Sequence, residues 1–422
     1  MAANGTFHRR YEVVSPTRQR VMGVIFLAFA MAIIFFFAAD VESGDQTSFG
    51  LSRGGAEVQL TPIVVPAQST LYILAVVSAI MGGIQLSRGF KKRTNLALAF
   101  VVGFFIFGFL VWAAAGRSLN LTGLLVTTLS RAVPLTLGAM SGILCERAGI
   151  VNIAIEGMML SAAFTATVSA SISGSLWVGV LVGMGTGSLL GLLLGVLSIR
   201  YKTNQIIAGT VINILATGLT SYMGARFLRI NPEWNNPGIF RHFQIPLLHD
   251  IPVIGPLLFE NNMFVYGMFL MLIALHVGLF HTRWGLRHRA VGEHPKAADT
   301  LGINVFRTRY MAVILGGAMA GFAGSYFTLG SVGRFDEVMT AGRGFISLAA
   351  MIFGNWMPFG AFGAGLLFGF ADSLASRLAI LQIPIPSEFL LMAPYIATMI
   401  VLAGVVGRGQ PPAAEGVPYE KE

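Results

Sequence analysis

A single cysteine, Cys145, leaves the chain without an intrachain disulfide framework or a multi-cysteine metal site. Charge is scarce too: 11% of the 422 residues are Asp, Glu, Lys or Arg, against about a quarter in a soluble domain. No G-x-x-x-x-G-K-[ST] occurs, so the chain does not cradle a nucleotide phosphate in the usual way. H-E-x-x-H, G-x-S-x-G and Cys/His clusters are also missing, which weighs against an intramembrane hydrolase or metalloprotease. Acidic residues are fewer than basic ones, 19 against 28, for a formal net charge of +9. The basic residues lie in short loops between apolar runs, where lipid orientation explains them better than nucleic acid does. No nucleic-acid partner is expected.

What the chain has is apolar length: 55% of it is hydrophobic. Stretches such as 21–39, 96–115, 175–199 and 263–280 approach the roughly 20 apolar residues needed to cross a ~30 Å hydrocarbon layer. Reading runs and breaks predicts an all-α, polytopic membrane helix bundle of about twelve segments, some broken or half-length. They fall at approximately 21–39, 62–87, 96–115, 121–144, 149–172, 175–199, 205–224, 263–281, 309–330, 344–357, 359–377 and 388–406. Helices are the default because every backbone amide in lipid needs a partner within the protein. With the N-terminus inside, 19 of the 28 Lys and Arg residues fall on the cytoplasmic side, which predicts both termini there. Lipid of the cell's plasma (inner) membrane is then the surrounding medium. The longest outer loop, 225–262, carries Asn231-Pro232-Glu233-Trp234-Asn235-Asn236-Pro237 and reads either as an ordered cap or as a solvated connector.

Glycines 179, 183, 187, 191 and 195 recur every fourth residue, a small-residue stripe that lets a neighbouring helix approach closely. Between Ser141 and Leu160, charged residues and Gly142, Gly149 and Gly157 interrupt an apolar stretch, the pattern of a break facing a cavity. Asn152 and Glu156 share one helix face there. An in-span carboxylate is costly unless it meets a partner or water, so Glu156 either lines a solute path or caps backbone amides. Asp372 poses the same alternative. Asn213, more than two turns inside the helix opened by Asn204 and Gln205, either bonds across helices or lines the path. Residues 343–355, short and flanked by glycine, read either as a half-helix whose positive amino end aims at the cavity, with Asn355 at its far end, or as a buried turn with no solute contact.

Within the basic stretch 282–303, Glu293 and His294 precede Pro295, which suits a first helical position, and Gly302 suits a stop. The helix between them, with Lys296 and Asp299 on its polar side, has about two turns and is marginal alone in water. Either its small apolar side, Ala297, Ala298 and Leu301, enters a groove on a cytoplasmic protein, or the stretch is a positive-inside loop with no partner. The loop reading suits the arginines better than the Pro-to-Gly helix.

Three segments in this order, Glu146-Arg147-Ala148-Gly149-Ile150-Val151-Asn152-Ile153-Ala154-Ile155-Glu156-Gly157-Met158-Met159, Gly292-Glu293-His294-Pro295-Lys296-Ala297-Ala298-Asp299-Thr300-Leu301-Gly302-Ile303-Asn304-Val305 and Met339–Trp356, resemble the permeases of ribose-type and branched-chain-amino-acid-type ATP-binding-cassette importers. The resemblance is closest to the nucleoside branch and covers about 119–408. It implies that 293–302 is the coupling helix seated on an ATPase and that Asn152 to Glu156 lie beside the translocation path. It also implies a separate cytoplasmic ATPase that binds the ATP, a second related permease and an extracytoplasmic solute-binding lipoprotein. No cofactor is expected in this chain itself. The domains expected are 1–118, an N-terminal extension with about three spans; 119–408, the permease core; and 409–422, a flexible cytoplasmic tail.

The function expected is a translocation path for a nucleoside or similar small polar solute, through a cavity bounded by 142–157 and 341–360, with no enzymatic step. A simple sugar or a branched-chain amino acid is the alternative cargo. A passive channel lacks a recognisable filter or charged ring. An ion-coupled secondary transporter shares the broken helices, and the docking helix is what separates the importer reading from it.

Overall fold

The computed structural model describes residues 16–52, 60–380, 389, 392 and 410–421. Except for Phe389 and Met392, the expected twelfth segment, 388–406, lies outside the described residues, as do Arg9, Arg10 and Arg408. Among the described residues, ten helices are long and apolar enough to cross a membrane, and one shorter apolar helix accompanies them. The chain divides into two compact units, 1–122 and 123–422.

The first unit holds three long helices: α1 (Pro16–Ala32, prolonged by a wider turn to Ala38), α2 (Ala67–Ser87) and α3 (Thr94–Ala113). Aromatic residues join α3 to the end of α1, with Phe37 stacked on Trp112 at 5.5 Å and Phe29 5.0 Å from Phe105. A three-stranded sheet adds β1 (Gln46–Gly50), antiparallel to β2 (Ile63–Pro66) and parallel to β3 (Ser118–Asn120). The expected second span at 62–87 therefore begins as a strand and turns helical only at Ala67.

The second unit contains α4 (Leu121–Glu146), α5 (Ile155–Ser173), α6 (Leu176–Gly195, prolonged to Arg200), α7 (Gln205–Met223, prolonged to Leu228) and α8 (Met263–His281). After these come α9 (Arg283–Glu293), α10 (Pro295–Thr300), α11 (Val305–Ser325, prolonged to Val332), α12 (Arg343–Phe353) and α13 (Pro358–Ile380). Asparagine and threonine set several starts. Asn204 accepts from the amides of Ile206 and Ile207, Asn262 from Phe264 and Val265, Thr282 from Gly285 and Asn304 from Arg307, each satisfying donors a helix start leaves open.

The glycine stripe of α6 sets the central packing. A Cβ on Gly187 would collide with the Gly317 carbonyl of α11, and one on Gly183 with Ser325 Oγ. On the same stripe a Cβ on Gly179 would meet the Ala166 carbonyl of α5 at 2.7 Å. Backbone touches backbone along α5, α6 and α11, as small residues permit in lipid.

The expected span 149–172 starts later than its apolar run. Residues 147–154 form a non-helical connector, with Gly149 at φ +88°, and α5 begins at Ile155. The 225–262 loop is ordered: Asn235 and Phe335 exchange two hydrogen bonds of 3.0 and 2.7 Å, the Phe240 amide donates to Leu329, and β4 (Phe243–Gln244) pairs with β5 (Glu260–Asn261). The cap is thus fastened to the helices beneath it.

The tail expected to be flexible is instead bound within the described residues 410–421. Its backbone amides donate from Ala414 to the Gly292 carbonyl, from Gly416 to the Gly149 carbonyl, from Ala413 to Glu293 and from Gln410 to Asn355 Oδ1. Tyr419 is buried, 5.3 Å from Phe306. Pro411, Pro412 and Pro418 stiffen a segment whose polar backbone is largely spent on these partners.

Candidate functional site

One end of the second unit gathers the short elements. Its α10 runs from Pro295 to Thr300, and Gly302 at φ +80° ends it, as the Pro and Gly spacing predicts. His294, Lys296 and Ala297 are exposed and Leu301 is 82% exposed, whereas Ala298 is buried against Val291, Val305 and Tyr419. The apolar side expected to enter a partner is therefore divided. Ala297 and Leu301 face outward, and Ala298 is the contact by which α10 sits on its own chain. Asp299 faces Lys421 at 3.9 Å, and Glu293 accepts from the tail.

Beneath α10, α9 packs on the connector after α4. Gly292 is so close to the Arg147 carbonyl that any side chain would collide with it. His288 is buried, its Nε2 2.8 Å from the Leu144 carbonyl. Burial pushes the imidazole down to about 4, so the ring is neutral near pH 7 and donates to that carbonyl. Arg147 donates to the carbonyls of Trp356 and Asn355, both in left-handed turn conformation at φ +53° and +55°. The Trp356 indole donates to Glu146 at 2.6 Å. The tail's Glu415 hydrogen-bonds Glu146, and burial raises its carboxyl pKa. Arg309 of α11, fully buried, donates to Val417 at 3.0 Å, and Lys202 pairs with Glu420. Residues 410–421 thus join α10, α9, α11 and the connectors after α4, α6 and α12.

Deeper in the unit, Glu156 opens α5. Its Oε1 accepts from Thr340 Oγ1 at 2.6 Å and the Gly342 amide at 2.9 Å, while Oε2 accepts from the Gly344 amide at 2.6 Å. Of the two readings of this residue, a cap on backbone amides is the one the structure shows. The half-length α12 is present, about 16 Å long at 1.5 Å per residue. Its amino end, expected to aim at a cavity, is aimed at this carboxylate, where a negative charge suits the helix dipole. A side chain at Gly344 would strike Glu156 at 2.5 Å, which explains a glycine there.

Asn213 likewise bonds across elements. Its Nδ2 donates to the Ile153 carbonyl at 2.8 Å and its Oδ1 accepts from Gly157 at 2.8 Å. Asn152 is buried, with Nδ2 3.4 Å from Ser141 Oγ and Oδ1 without a partner among the described residues. Asn355 holds the tail. Four of the five expected path residues thus brace the connectors, and the fifth, Asp372, belongs to a separate ionic group. Its Oδ1 is 2.6 Å from Arg131 of α4 and its Oδ2 3.9 Å from Arg343.

Sequence reasoning passed over Arg131, Arg147, Arg309 and the tail. An arginine inside a span was the available signal for the first. The others depend on contacts between residues more than 100 positions apart.

Comparison with known proteins bears on these arrangements. The family model "Branched-chain amino acid transport system / permease component" matches residues 124–405. The guanosine ABC transporter permease protein NupQ of Bacillus subtilis is 39% identical over 306 residues, covering 70% of this chain and 95% of that protein. The nucleoside ABC transporter permease protein NupC of Lactococcus lactis is 40% identical over 300 residues, covering 68% and 93%. A putative glucose ABC transporter permease protein, TsgC13 of Haloferax volcanii, is 34% identical over 259 residues, covering 60% and 77%. No solved structure matches.

Proposed function

Because the chain belongs to the permease-component family of branched-chain amino acid transport systems, we propose that it is the membrane permease subunit of an ATP-driven nucleoside importer. Its own role is mechanical, with no bond-making step: a cytoplasmic ATP-binding-cassette ATPase binds the ATP and grips α10. A second related permease completes the path, and an extracytoplasmic lipoprotein delivers the solute. In this reading the end carrying α9 and α10 faces the cytosol.

The observation that carries the proposal is continuity. An exposed six-residue helix is fastened through Ala298 and residues 410–421 to the connector after α4 and to the turn after α12. A pull on Leu301 and Ala297 therefore reaches the two interrupted segments without crossing a flexible loop. Co-expression with the companion subunits, purification and reconstitution into proteoliposomes tests it. Co-elution of an ATPase with ATP-dependent guanosine uptake is the expected result. Stable solitary transport, or uptake driven by an ion gradient without ATP, overturns it.

A further inference from the structure

Arg131, Asp372 and Arg343 come from three elements: α4, α13 and the amino end of α12. Arg131 Nη1 lies 2.6 Å from Asp372 Oδ1, Arg131 Nη2 donates to Ser376 Oγ at 2.9 Å, and Arg343 Nη2 stands 3.9 Å from Asp372 Oδ2. Oδ2 is thus beyond hydrogen-bonding range of that guanidinium. Arg343 also lies 5.7 Å above the Phe327 ring.

Depth makes the group unusual. Arg131 is fifteen residues before the end of α4 and Asp372 fourteen after the start of α13, about 20 Å along each helix from the end that carries α9 and α10. In a hydrocarbon layer of ~30 Å that is well inside. Yet the three side chains are 34%, 27% and 32% exposed. Charges at that depth do not face lipid tails; they face water, a cavity or another chain. An ion pair serving packing alone is enclosed by the bundle at such a depth, whereas this one keeps about a third of its surface open.

We infer that Arg131, Asp372 and Arg343 form the polar wall of the solute path and bind the vicinal hydroxyl pair of a neutral sugar moiety. The chemistry fits: Asp372 Oδ2 accepts from hydroxyls, and the guanidinium of Arg343 donates to their oxygens. A hydroxyl pair satisfies both without carrying net charge across the membrane. The inference rests on the nucleoside reading for the identity of the sugar and on the local geometry for the location of the site.

The test uses the complete complex in proteoliposomes, with tritiated uridine as probe and 2′,3′-dideoxyuridine as competitor. Asp372→Asn is expected to lower uridine uptake tenfold or more, the loss of one charge-assisted hydrogen bond, and to erase the preference for uridine over the dideoxy analogue. Unchanged uptake and preference overturn the inference. If Asp372→Asn is unstable, the exchange pair Arg131→Asp/Asp372→Arg restores the ion pair. A folded exchange variant with normal uptake and preference overturns the inference, and one that folds without discriminating supports it. A readout independent of the cargo separates this idea from the nucleoside reading. In a Cys145→Ala background, Ser376→Cys is expected to react with a charged, membrane-impermeant thiol reagent. Labelling with no nucleoside uptake by the parent complex refutes the cargo alone, while absence of labelling refutes the site.

Discussion

Replacing Glu156 by alanine discriminates between a brace and a solute contact. The carboxylate accepts three hydrogen bonds of 2.6, 2.9 and 2.6 Å from one hydroxyl and two amides at the start of α12. A hydrogen bond to a charged group contributes roughly 1.5–3 kcal/mol, and charge at a helix amino end up to ~2 kcal/mol. Simple addition overshoots, since α12 can loosen its first turn to recover a partner. Removing one member of a buried charged arrangement costs about 3–5 kcal/mol, so Glu156→Ala should cost about 4 kcal/mol. Glu156→Gln keeps one oxygen for Thr340 and Gly342 but opposes the Gly344 amide with a second donor, and about half that loss follows. Thermal unfolding of the detergent-purified complex, followed by size exclusion, measures both, with the order wild type, Gln, Ala. Glu156→Ala unfolding with the wild type while losing uptake would refute the capping account and return the residue to the path.

Substitutions on α10 should separate by face. Leu301→Glu should leave unfolding within about 0.5 kcal/mol of wild type and abolish ATPase co-purification. Ala298→Glu buries a charge against Val291, Val305 and Tyr419 and should destabilise the chain by several kcal/mol, which the same unfolding assay reports. Deleting residues 410–421 should preserve membrane insertion, judged by protease protection, but uncouple ATP hydrolysis from uptake, because α10 loses its attachment to Gly149 and Asn355. His288 should make stability fall with acid. Its folded pKa of about 4 lies below the usual 6.5, so the unfolded chain takes up the extra proton between those values. The contribution is complete above pH 6.5 and declines toward pH 4 by on the order of 3 kcal/mol. His288→Gln, which keeps a donor and does not titrate, should flatten that slope in melts between pH 7 and 5.

Much of the fold was legible because lipid leaves few choices. Apolar length marks the spans, Asn204 marks a start, and the four-residue glycine period marks close packing, which the structure places between α6 and both α5 and α11. The Pro295-to-Gly302 spacing located α10, and Gly342 and Gly354 bracketed α12. What escaped was orientation within short elements. In six residues no periodicity decides whether Ala298 or Leu301 points inward; Tyr419 decides it from 121 positions away in sequence. Glu156 looked equally suited to a cavity or a cap until Gly342 and Gly344 were placed beside it. In sequence the tail reads as flexible, whereas its backbone amides serve as donors to Gly292, Gly149 and Asn355.

The bed beneath α10 has a consequence for biogenesis. Tyr419, packed on Ala298 of α10, and Ala413, which donates to Glu293 of α9, leave the ribosome about 120 residues after those helices, behind every described span. A nascent chain halted anywhere earlier presents α10 without these contacts. In the proposed importer, the seat offered to the ATPase is therefore complete only once synthesis has passed the last described helix, an order of assembly set by chain order alone.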